Sequence, residues 1–288
     1  MTTRKATNEK FIGVFSVYII SSIFLYFFVK IGVENSAPSI LMSIRYAVAG
    51  IILYLLSRKI IINKGVILLS LFTSISTLFW AYGLIYVNPA SSSVISYTMP
   101  FFALILAFFF LRENPTSFEI IGLIIGFAGL GIYSLPLLRG LTALGVLLTI
   151  IDAFFWAMFS VYYRKLSNYD VLSLNASQFM LGALYMAVYT LFLPRSSLYI
   201  SFNMKLVESL VYISTIGGAL QFLAWNYMLK LEKVNRVTAL AYVVPIGTTL
   251  VQIPIYKKLP SLIQIIGLIV IIVGVVLSRY RKVGATIP

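Results

Sequence analysis

The chain has 288 residues, of which 60% are hydrophobic and 10% charged, and it carries a formal net charge of +14. A soluble domain has roughly 25% charged residues, so this composition excludes a soluble protein and predicts an all-α integral membrane protein. Cysteine and histidine are absent, which excludes disulfides and thiolate or histidine chemistry, and we expect no metal site and no cofactor.

Ten apolar runs, each about as long as a bilayer is thick, predict ten transmembrane helices, named here spans 1 to 10. The first run is not followed by a small-residue cleavage site, so it is interpreted as a helix and not as a signal peptide. The longest connection covers residues 194–203. The predicted spans cover residues 11–30, 38–57, 65–86, 90–111, 117–136, 141–163, 171–193, 205–229, 236–256 and 261–280.

The basic residues lie mainly in the connections between spans, which is the pattern of membrane orientation and not of nucleic-acid binding. With the N-terminus inside, most Lys and Arg residues fall on the inner side, including those of the connection 58–64. The positive-inside rule therefore predicts a multi-pass protein of the cell membrane with both termini in the cytoplasm. No nucleic-acid partner is expected.

A long internal repeat links the two halves, because residues 80–133 match residues 225–278 without a gap after a shift of 145 positions. The matching pairs include Trp80 and Trp225, Tyr82 and Tyr227, Tyr97 and Tyr242, Pro100 and Pro245, Gly122 and Gly267, and Gly129 and Gly274. Chance similarity between apolar segments is the alternative, but these pairs favour a duplication. The repeat predicts two five-helix units, residues 1–137 and 138–288. Because five crossings reverse the chain direction, the second unit is expected to be inverted.

Spans 1 and 6 each carry polar and aromatic residues at every fourth position, which places them along one side of a helix. The two series are Tyr18, Ser22, Tyr26 and Lys30 in span 1, and Asp152, Trp156, Ser160 and Arg164 in span 6. Polar residues at membrane depth face protein or water, so both series are interpreted as facing a central cavity. Hydrogen bonding between helices is the alternative interpretation.

The stretch RENPTSFEIIGLIIGFAGLGI at residues 112–132 resembles the ten-helix, EamA-type branch of the drug/metabolite transporter superfamily. IRYAVAG around Arg45 and FFWAMFSVYYRKL at residues 154–166 resemble it too. Two features depart from the family pattern: Lys258 stands where the first copy has Glu113, and Ser21-Ser22 lie near the place of the usual Trp-Gly. The resemblance implies two inverted five-helix repeats, with spans 1, 3, 4, 6, 8 and 9 around a central cavity. It also implies export of amino acids, related metabolites or drugs, in many members driven by the proton gradient.

Asp152 is the carboxylate nearest the centre of a span, eleven residues from each end of span 6. A charge at this depth is costly unless it is hydrated, paired or protonated. Asp152 is therefore expected to bind a proton reversibly or to hold a cationic group of a substrate. The alternative is a protonated Asp that is hydrogen-bonded to a neighbouring helix.

Aromatic and polar residues, several of them recurring in both repeats, are further candidates for the cavity wall. With Asp152, the predicted substrate- or proton-binding residues are Tyr18, Ser22, Trp80, Tyr82, Tyr97, Trp156, Gln221, Trp225, Asn226, Tyr227 and Tyr242. Packing between helices is an equally open interpretation of the aromatic residues. Pro100 and Pro245 lie within their spans and predict helix kinks. The long side chain of Arg45 is expected to extend toward the outer face, and the alternative is a clamp for an anionic group.

The sequence thus predicts a membrane transporter, and not an enzyme, that exports amino acids or similar small amphipathic metabolites by alternating access. Its expected partners are a small-molecule substrate, the lipid bilayer and protons carried by Asp152. An uncoupled uniporter or a multidrug exporter of the same fold is the alternative within transport. Among other classes, a non-transporting receptor or scaffold shares this composition. A membrane enzyme would need a nucleophile with a base, or a metal cluster, which a single core carboxylate does not supply.

Overall fold

In the computed structural model, which describes residues 2–137, 141–257 and 259–278, the predicted spans form helices α1 to α13. A π-helical turn, Thr215–Leu220, joins α9 to α10. The helices are α1 Thr2–Asn35, α2 Pro38–Ser57, α3 Lys64–Tyr86, α4 Pro89–Ser96, α5 Met99–Leu111, α6 Ser117–Ser134, α7 Ala143–Lys165, α8 Val171–Leu191, α9 Met204–Ser214, α10 Gln221–Leu231, α11 Val234–Leu240, α12 Val243–Tyr256 and α13 Leu262–Ser278.

Nine helical segments within the described residues are long and apolar enough to cross a membrane. Three of them combine consecutive helices: α4 with α5, α9 with α10, and α11 with α12. The tenth predicted span corresponds to α13, whose 17 residues fall short of the roughly 20 that cross a bilayer without thinning it. The helical architecture agrees with the all-α prediction, and the count of ten crossings stays a prediction.

Polar residues of the short connections define where the helices begin. At six helices in the described part of the chain, the side chain of the N-cap residue accepts a hydrogen bond from a backbone N–H of the first turn, which satisfies a donor that the helix itself leaves free. At α6 the cap is reciprocal, because Thr116 accepts from the Glu119 N–H while the Glu119 carboxylate accepts from the Thr116 N–H. The caps of this kind are Asn63, Asn88, Thr116, Thr142, Asp170 and Asn203.

Spans 4 and 9 are interrupted, and the two interruptions lie at matching positions of the repeat. α4 ends at Ser96 and α5 begins at Met99, while α11 ends at Leu240 and α12 begins at Val243. Pro100 and Pro245 follow directly in the first turn of the second helix, where a missing N–H costs nothing. Each proline therefore accompanies a break in the span and not a kink within a continuous helix.

Helices α6 and α13 form a close antiparallel pair through facing glycines, called here the glycine seam: Gly122, Gly126, Gly129, Gly267 and Gly274. A Cβ atom added at Gly274 would lie 2.6 Å from the carbonyl oxygen of Gly122, and one added at Gly129 would lie 3.0 Å from that of Gly267. The two contacts are equivalent in the repeat. The shift of 145 positions relates Gly122 to Gly267 and Gly129 to Gly274, so each contact maps onto the other. The backbones therefore touch without intervening side chains.

The connection 194–203 folds back onto the turn between α1 and α2. The Ala37 N–H donates to the Tyr199 carbonyl at 2.8 Å, and the Ser201 N–H donates to the Asn35 carbonyl at 2.7 Å. The Tyr199 hydroxyl also donates to the Val33 carbonyl at 2.5 Å. These bonds fix the end of α1 against the segment that precedes α9.

Candidate functional site

A cavity lies between α1, α2, α3, α7, α10 and the interruption of span 4. Its volume open to water-sized molecules is about 60 Å³, room for roughly four water molecules. Seven of the predicted site residues line it: Tyr18, Ser22, Trp80, Tyr97, Asp152, Trp156 and Gln221. The remaining lining residues are Leu25, Tyr26, Arg45, Ser76, Thr77, Ser96 and Met99. The cavity therefore combines aromatic walls with one acidic and one basic side chain.

Asp152 is held by two serine hydroxyls from different helices. Ser76 on α3 donates to Oδ1 at 2.6 Å, and Ser96 at the end of α4 donates to Oδ2 at 2.9 Å. The carboxyl group is buried, and within the described residues it makes no ion pair. An ionised carboxylate only accepts hydrogen bonds, so both hydroxyls match its ionised form. Asp152 thus connects α3, α7 and the interrupted span 4.

Arg45 is buried in the cavity wall, with only 1% of its surface exposed. Its Nε donates to the Ile213 carbonyl at 3.0 Å and its Nη2 to the Gly217 carbonyl at 2.9 Å. These carbonyls belong to the end of α9 and to the π-helical turn. The expectation that this side chain extends to the outer face is therefore wrong, because polar partners inside the protein hold the guanidinium in place.

Two polar atoms of the cavity wall have no hydrogen-bond partner among the described residues. They are the indole Nε1 of Trp80, which is a donor, and Oε1 of Gln221, which is an acceptor. The amide nitrogen of Gln221 is 3.3 Å from the Ser22 hydroxyl, so that side chain is already anchored at one end. A buried polar atom without a partner is costly, so a widening of the cavity that brings a ligand or water to either atom would be favourable.

The other predicted site residues lie outside the cavity lining. The indole of Trp225 donates to the Ser160 hydroxyl at 3.1 Å and packs against Tyr18, with ring centroids 4.8 Å apart. The Asn226 amide donates to Asn175 at 2.7 Å. Also outside the lining are Tyr82 and Tyr227, which are half-buried, and Tyr242, which packs at Gly126 of the glycine seam. The two repeats therefore contribute unequally, since Trp80 lines the cavity and its counterpart Trp225 does not.

Sequence reasoning missed Ser96 and left the role of Arg45 open. Serine is common in membrane helices and usually bonds to its own backbone, so Ser96 carries no signal in its residue type. Its position at the interruption before Pro100 is the available clue. For Arg45 the clue is the Gly217-Gly218 pair in span 8, where the π-helical turn presents carbonyls to another helix.

At each end of the bundle a basic side chain contacts a carbonyl near the end of another helix. Lys30 Nζ lies 2.7 Å from the Leu84 carbonyl oxygen at the end of α3. Arg164 Nη1 lies 2.8 Å from the Leu229 carbonyl oxygen at the end of α10. Leu229 is the counterpart of Leu84 under the shift of 145 positions. A cation at these free carbonyls is favourable because the helix dipole is negative there. We call these contacts the Lys30 cap and the Arg164 cap.

The carboxylate beside the Arg164 cap is largely buried, whereas Glu34, which lies 3.9 Å from Lys30, is exposed. Glu113, in the connection between α5 and α6, lies 3.9 Å from Arg164 and accepts the Val234 N–H at 3.1 Å. Burial raises the pKa of Glu113, and the Arg164 guanidinium opposes that shift. Nearby, Arg236 donates to Glu119 at 2.8 Å. This end is therefore held by charged contacts between both halves of the chain, whereas Lys258, the counterpart of Glu113, lies outside the described residues.

The sequence profile of the EamA-like transporter family matches residues 11–135 and, separately, residues 143–280. The chain belongs to the EamA-like transporter family. The resemblance drawn from the residues is thereby confirmed, and the protein is a multi-pass membrane transporter. Membership places it in a family of transporters and not in a class of enzymes.

Relatives of this EamA-like transporter come from archaea and bacteria. An uncharacterized transporter of Acidianus ambivalens is 42% identical over 241 residues, which cover 84% of this chain and 93% of the relative. A probable amino-acid metabolite efflux pump of Escherichia coli is 24% identical over 275 residues, covering 88% of this chain and 91% of the pump. A solved crystal structure superposes with a TM-score of 0.77 at 18% identity, covering 94% of this chain and 96% of that one, and supports the fold.

Proposed function

We propose that this transporter exports amino acids or similar small amphipathic metabolites by alternating access, in exchange for protons that bind Asp152. The observation that carries the proposal is the buried Asp152 carboxyl group, held by Ser76 and Ser96 in the wall of a central cavity. The Escherichia coli relative named as an amino-acid metabolite efflux pump supports the substrate class. The aromatic walls suit an amphipathic molecule.

Protonation of Asp152 changes its hydrogen bonds to Ser76 on α3 and Ser96 on α4, and so affects the packing of these helices. The ionised carboxylate accepts from both serines, but a protonated carboxyl carries an O–H that must donate. The serine bond on the protonated oxygen then reverses or weakens, because a hydroxyl oxygen is a poorer acceptor than a carboxylate oxygen. Because Ser96 is the last residue of α4, the change reaches the interruption of span 4 directly. A proton thus biases two arrangements of that span, as coupling requires.

Two inverted halves, residues 1–137 and 138–288, supply the two openings in this proposal. The exchange of contacts in the glycine seam under the shift of 145 positions supports it, since a two-fold axis produces such pairs. The Lys30 cap and the Arg164 cap are related in the same way. With both caps formed and room for only a few waters inside, the described arrangement corresponds to a closed form, and a substrate enters when one end opens.

Flux into sealed proteoliposomes tests the function. Purified protein is reconstituted, and a panel of radiolabelled L-amino acids is offered with and without an imposed pH gradient. We expect at least one amino acid to accumulate against its gradient, and only when protons flow the opposite way. Equilibration without accumulation would assign an uncoupled uniporter. No movement of any amino acid above that in protein-free liposomes would contradict amino-acid transport and favour a receptor or scaffold.

The orientation leads to a prediction about accessibility. The chain has no cysteine, so single cysteines can be introduced without a background. The exposed positions of Lys59→Cys and Ser197→Cys lie in connections on opposite sides of the membrane in the proposed topology. We expect an impermeant maleimide to label Ser197→Cys in intact cells, and Lys59→Cys only after permeabilisation. The reverse labelling pattern would contradict the proposal that both termini are cytoplasmic.

A further inference from the structure

Arg45 has hydrogen-bonding capacity that the protein does not use. A guanidinium carries five N–H donors. Nε and Nη2 each donate to a backbone carbonyl, and Nη1 makes a weak contact with the Met42 sulfur at 3.7 Å. One N–H on each terminal nitrogen is therefore without a partner in the described structure. Arg45 also makes no ion pair there, although its side chain lines the cavity.

A second unused donor lies beside it. The Arg45 guanidinium carbon is 5.7 Å from the centre of the Trp80 ring, and the indole N–H of Trp80 has no acceptor among the described residues. Both side chains line one cavity, and the indole N–H is buried beside it in the described arrangement. The carboxylate of Asp152 does not meet their need, because it bonds to Ser76 and Ser96 and makes no ion pair with Arg45 in the described structure. A group with two acceptor oxygens and a negative charge complements these donors.

We infer that Arg45, together with the indole N–H of Trp80, binds the carboxylate of the substrate, and that the exported molecules are zwitterions with a free carboxylate. This inference rests on the proposed function. The substrate ammonium then takes the place near Asp152, where a proton and an ammonium compete for one carboxylate. Such competition makes proton entry and substrate exit alternate, while Arg45 retains its charge in both steps.

A purely structural role for Arg45 is the rival explanation, since the same side chain ties α2 to the carbonyls of α9 and the π-helical turn. The two explanations differ in one respect. A structural Arg45 would affect all substrates equally. An Arg45 that binds carboxylate discriminates between molecules that have this group and molecules of the same size that lack it.

The decisive comparison needs no variant. L-Leucine and L-phenylalanine are offered to wild-type proteoliposomes beside leucinamide and phenylalaninamide, which keep the ammonium and the side chain but lack the carboxylate. We expect transport of the acids to exceed that of the amides about tenfold or more, as the loss of a charged hydrogen-bonded pair implies. Equal transport of acid and amide would overturn the inference about Arg45, while the proposed transport function would still stand. Failure of both to move would contradict amino-acid export itself, and the inference with it.

Variants then assign the discrimination to residues. In Arg45→Gln the preference for acid over amide should disappear, and in Arg45→Lys, which keeps the charge but loses the planar fork, it should be reduced. Trp80→Phe should weaken the preference, whereas Trp225→Phe, whose indole bonds to Ser160 outside the cavity lining, should keep it. A preference unchanged in folded Arg45→Gln would overturn the inference. If that variant does not fold, the wild-type comparison and Trp80→Phe decide.

Discussion

Replacing Asp152 by Asn is expected to abolish pH-driven accumulation of substrate while the protein still folds and exchanges substrate across the membrane. The asparagine side chain keeps the size of the carboxylic acid but cannot take up a proton. Ser76 and Ser96 can still bond to it, because an amide offers both an acceptor and a donor. Removing the titrating group therefore removes coupling and leaves the two openings in place, although the affinity for a cationic group falls.

The measurement compares accumulation with and without a pH gradient, and counterflow of labelled against unlabelled substrate, in the same proteoliposomes. Asp170→Asn is the matched control, because Asp170 caps α8 outside the spans by accepting the Ser173 N–H. That hydrogen bond lowers the pKa of Asp170, and Asn caps helices about as well as Asp. The control should accumulate substrate normally. Full gradient-driven accumulation by Asp152→Asn would exclude a coupling role for Asp152.

Gly274→Ala is expected to destabilise the folded protein strongly, because the added methyl group would meet the backbone of a neighbouring helix. The new Cβ would meet the backbone of α6, 2.6 Å from the Gly122 carbonyl oxygen, and a backbone cannot rotate away as a side chain can. The helices must therefore separate along the seam. Overpacking of this kind costs about 1–3 kcal/mol, and the nearest neighbours at Gly274 are all backbone atoms, which cannot move aside to reduce that cost.

Gly131→Ala is the control for this prediction, because a Cβ at Gly131 on α6 has no atom within 4 Å. The same methyl group should there be neutral or slightly stabilising, since alanine loses less backbone freedom than glycine in a helix. Thermal unfolding in detergent, followed by the recovery of monodisperse protein, compares the two variants. Equal unfolding midpoints for Gly274→Ala and Gly131→Ala would show that the helices are not in backbone contact.

Helix positions were predictable because apolar length and capping residues are local properties. Residues 38–57 were assigned to span 2 from composition alone, and α2 covers Pro38–Ser57. Residues four apart share a helix face, and this spacing predicted that the series containing Tyr18 and the series containing Asp152 face a cavity. Both residues line the cavity in the structure. The interruption of span 4 was only partly foreseen: Pro100 marks the place, but a break and a kink have the same local sequence.

Partners distant in sequence could not be predicted. Trp80 and Trp225 occupy the same position of the repeat, yet only Trp225 finds an acceptor among the described residues, because Ser160 of α7 lies beside it. The buried Arg45 side chain donates to the carbonyls of Ile213 and Gly217, which are 168 and 172 residues away in the sequence. From sequence alone, whether a basic side chain can reach the membrane surface is judged by its distance from the end of its span. That distance does not show whether another helix supplies carbonyls that bind the side chain inside the protein.

The two caps differ in chemistry, so in the proposed alternating-access cycle we expect the two ends of the bundle to open with unequal ease. Lys30 offers a compact, strongly hydrated ammonium on a flexible stem. Its second carbonyl, that of Ile85, is 3.4 Å away and its carboxylate neighbour, Glu34, is exposed, so water competes well for this contact. Arg164 offers a planar, weakly hydrated guanidinium that reaches two carbonyls, at 2.8 and 2.7 Å, and has Glu113 at its side. In the proposed orientation Lys30 lies at the extracellular mouth and Arg164 at the cytoplasmic one. In the proposed alternating-access cycle, the extracellular end is held by the weaker contact, and we expect a loaded cavity to open more readily to the outside than to the cytoplasm.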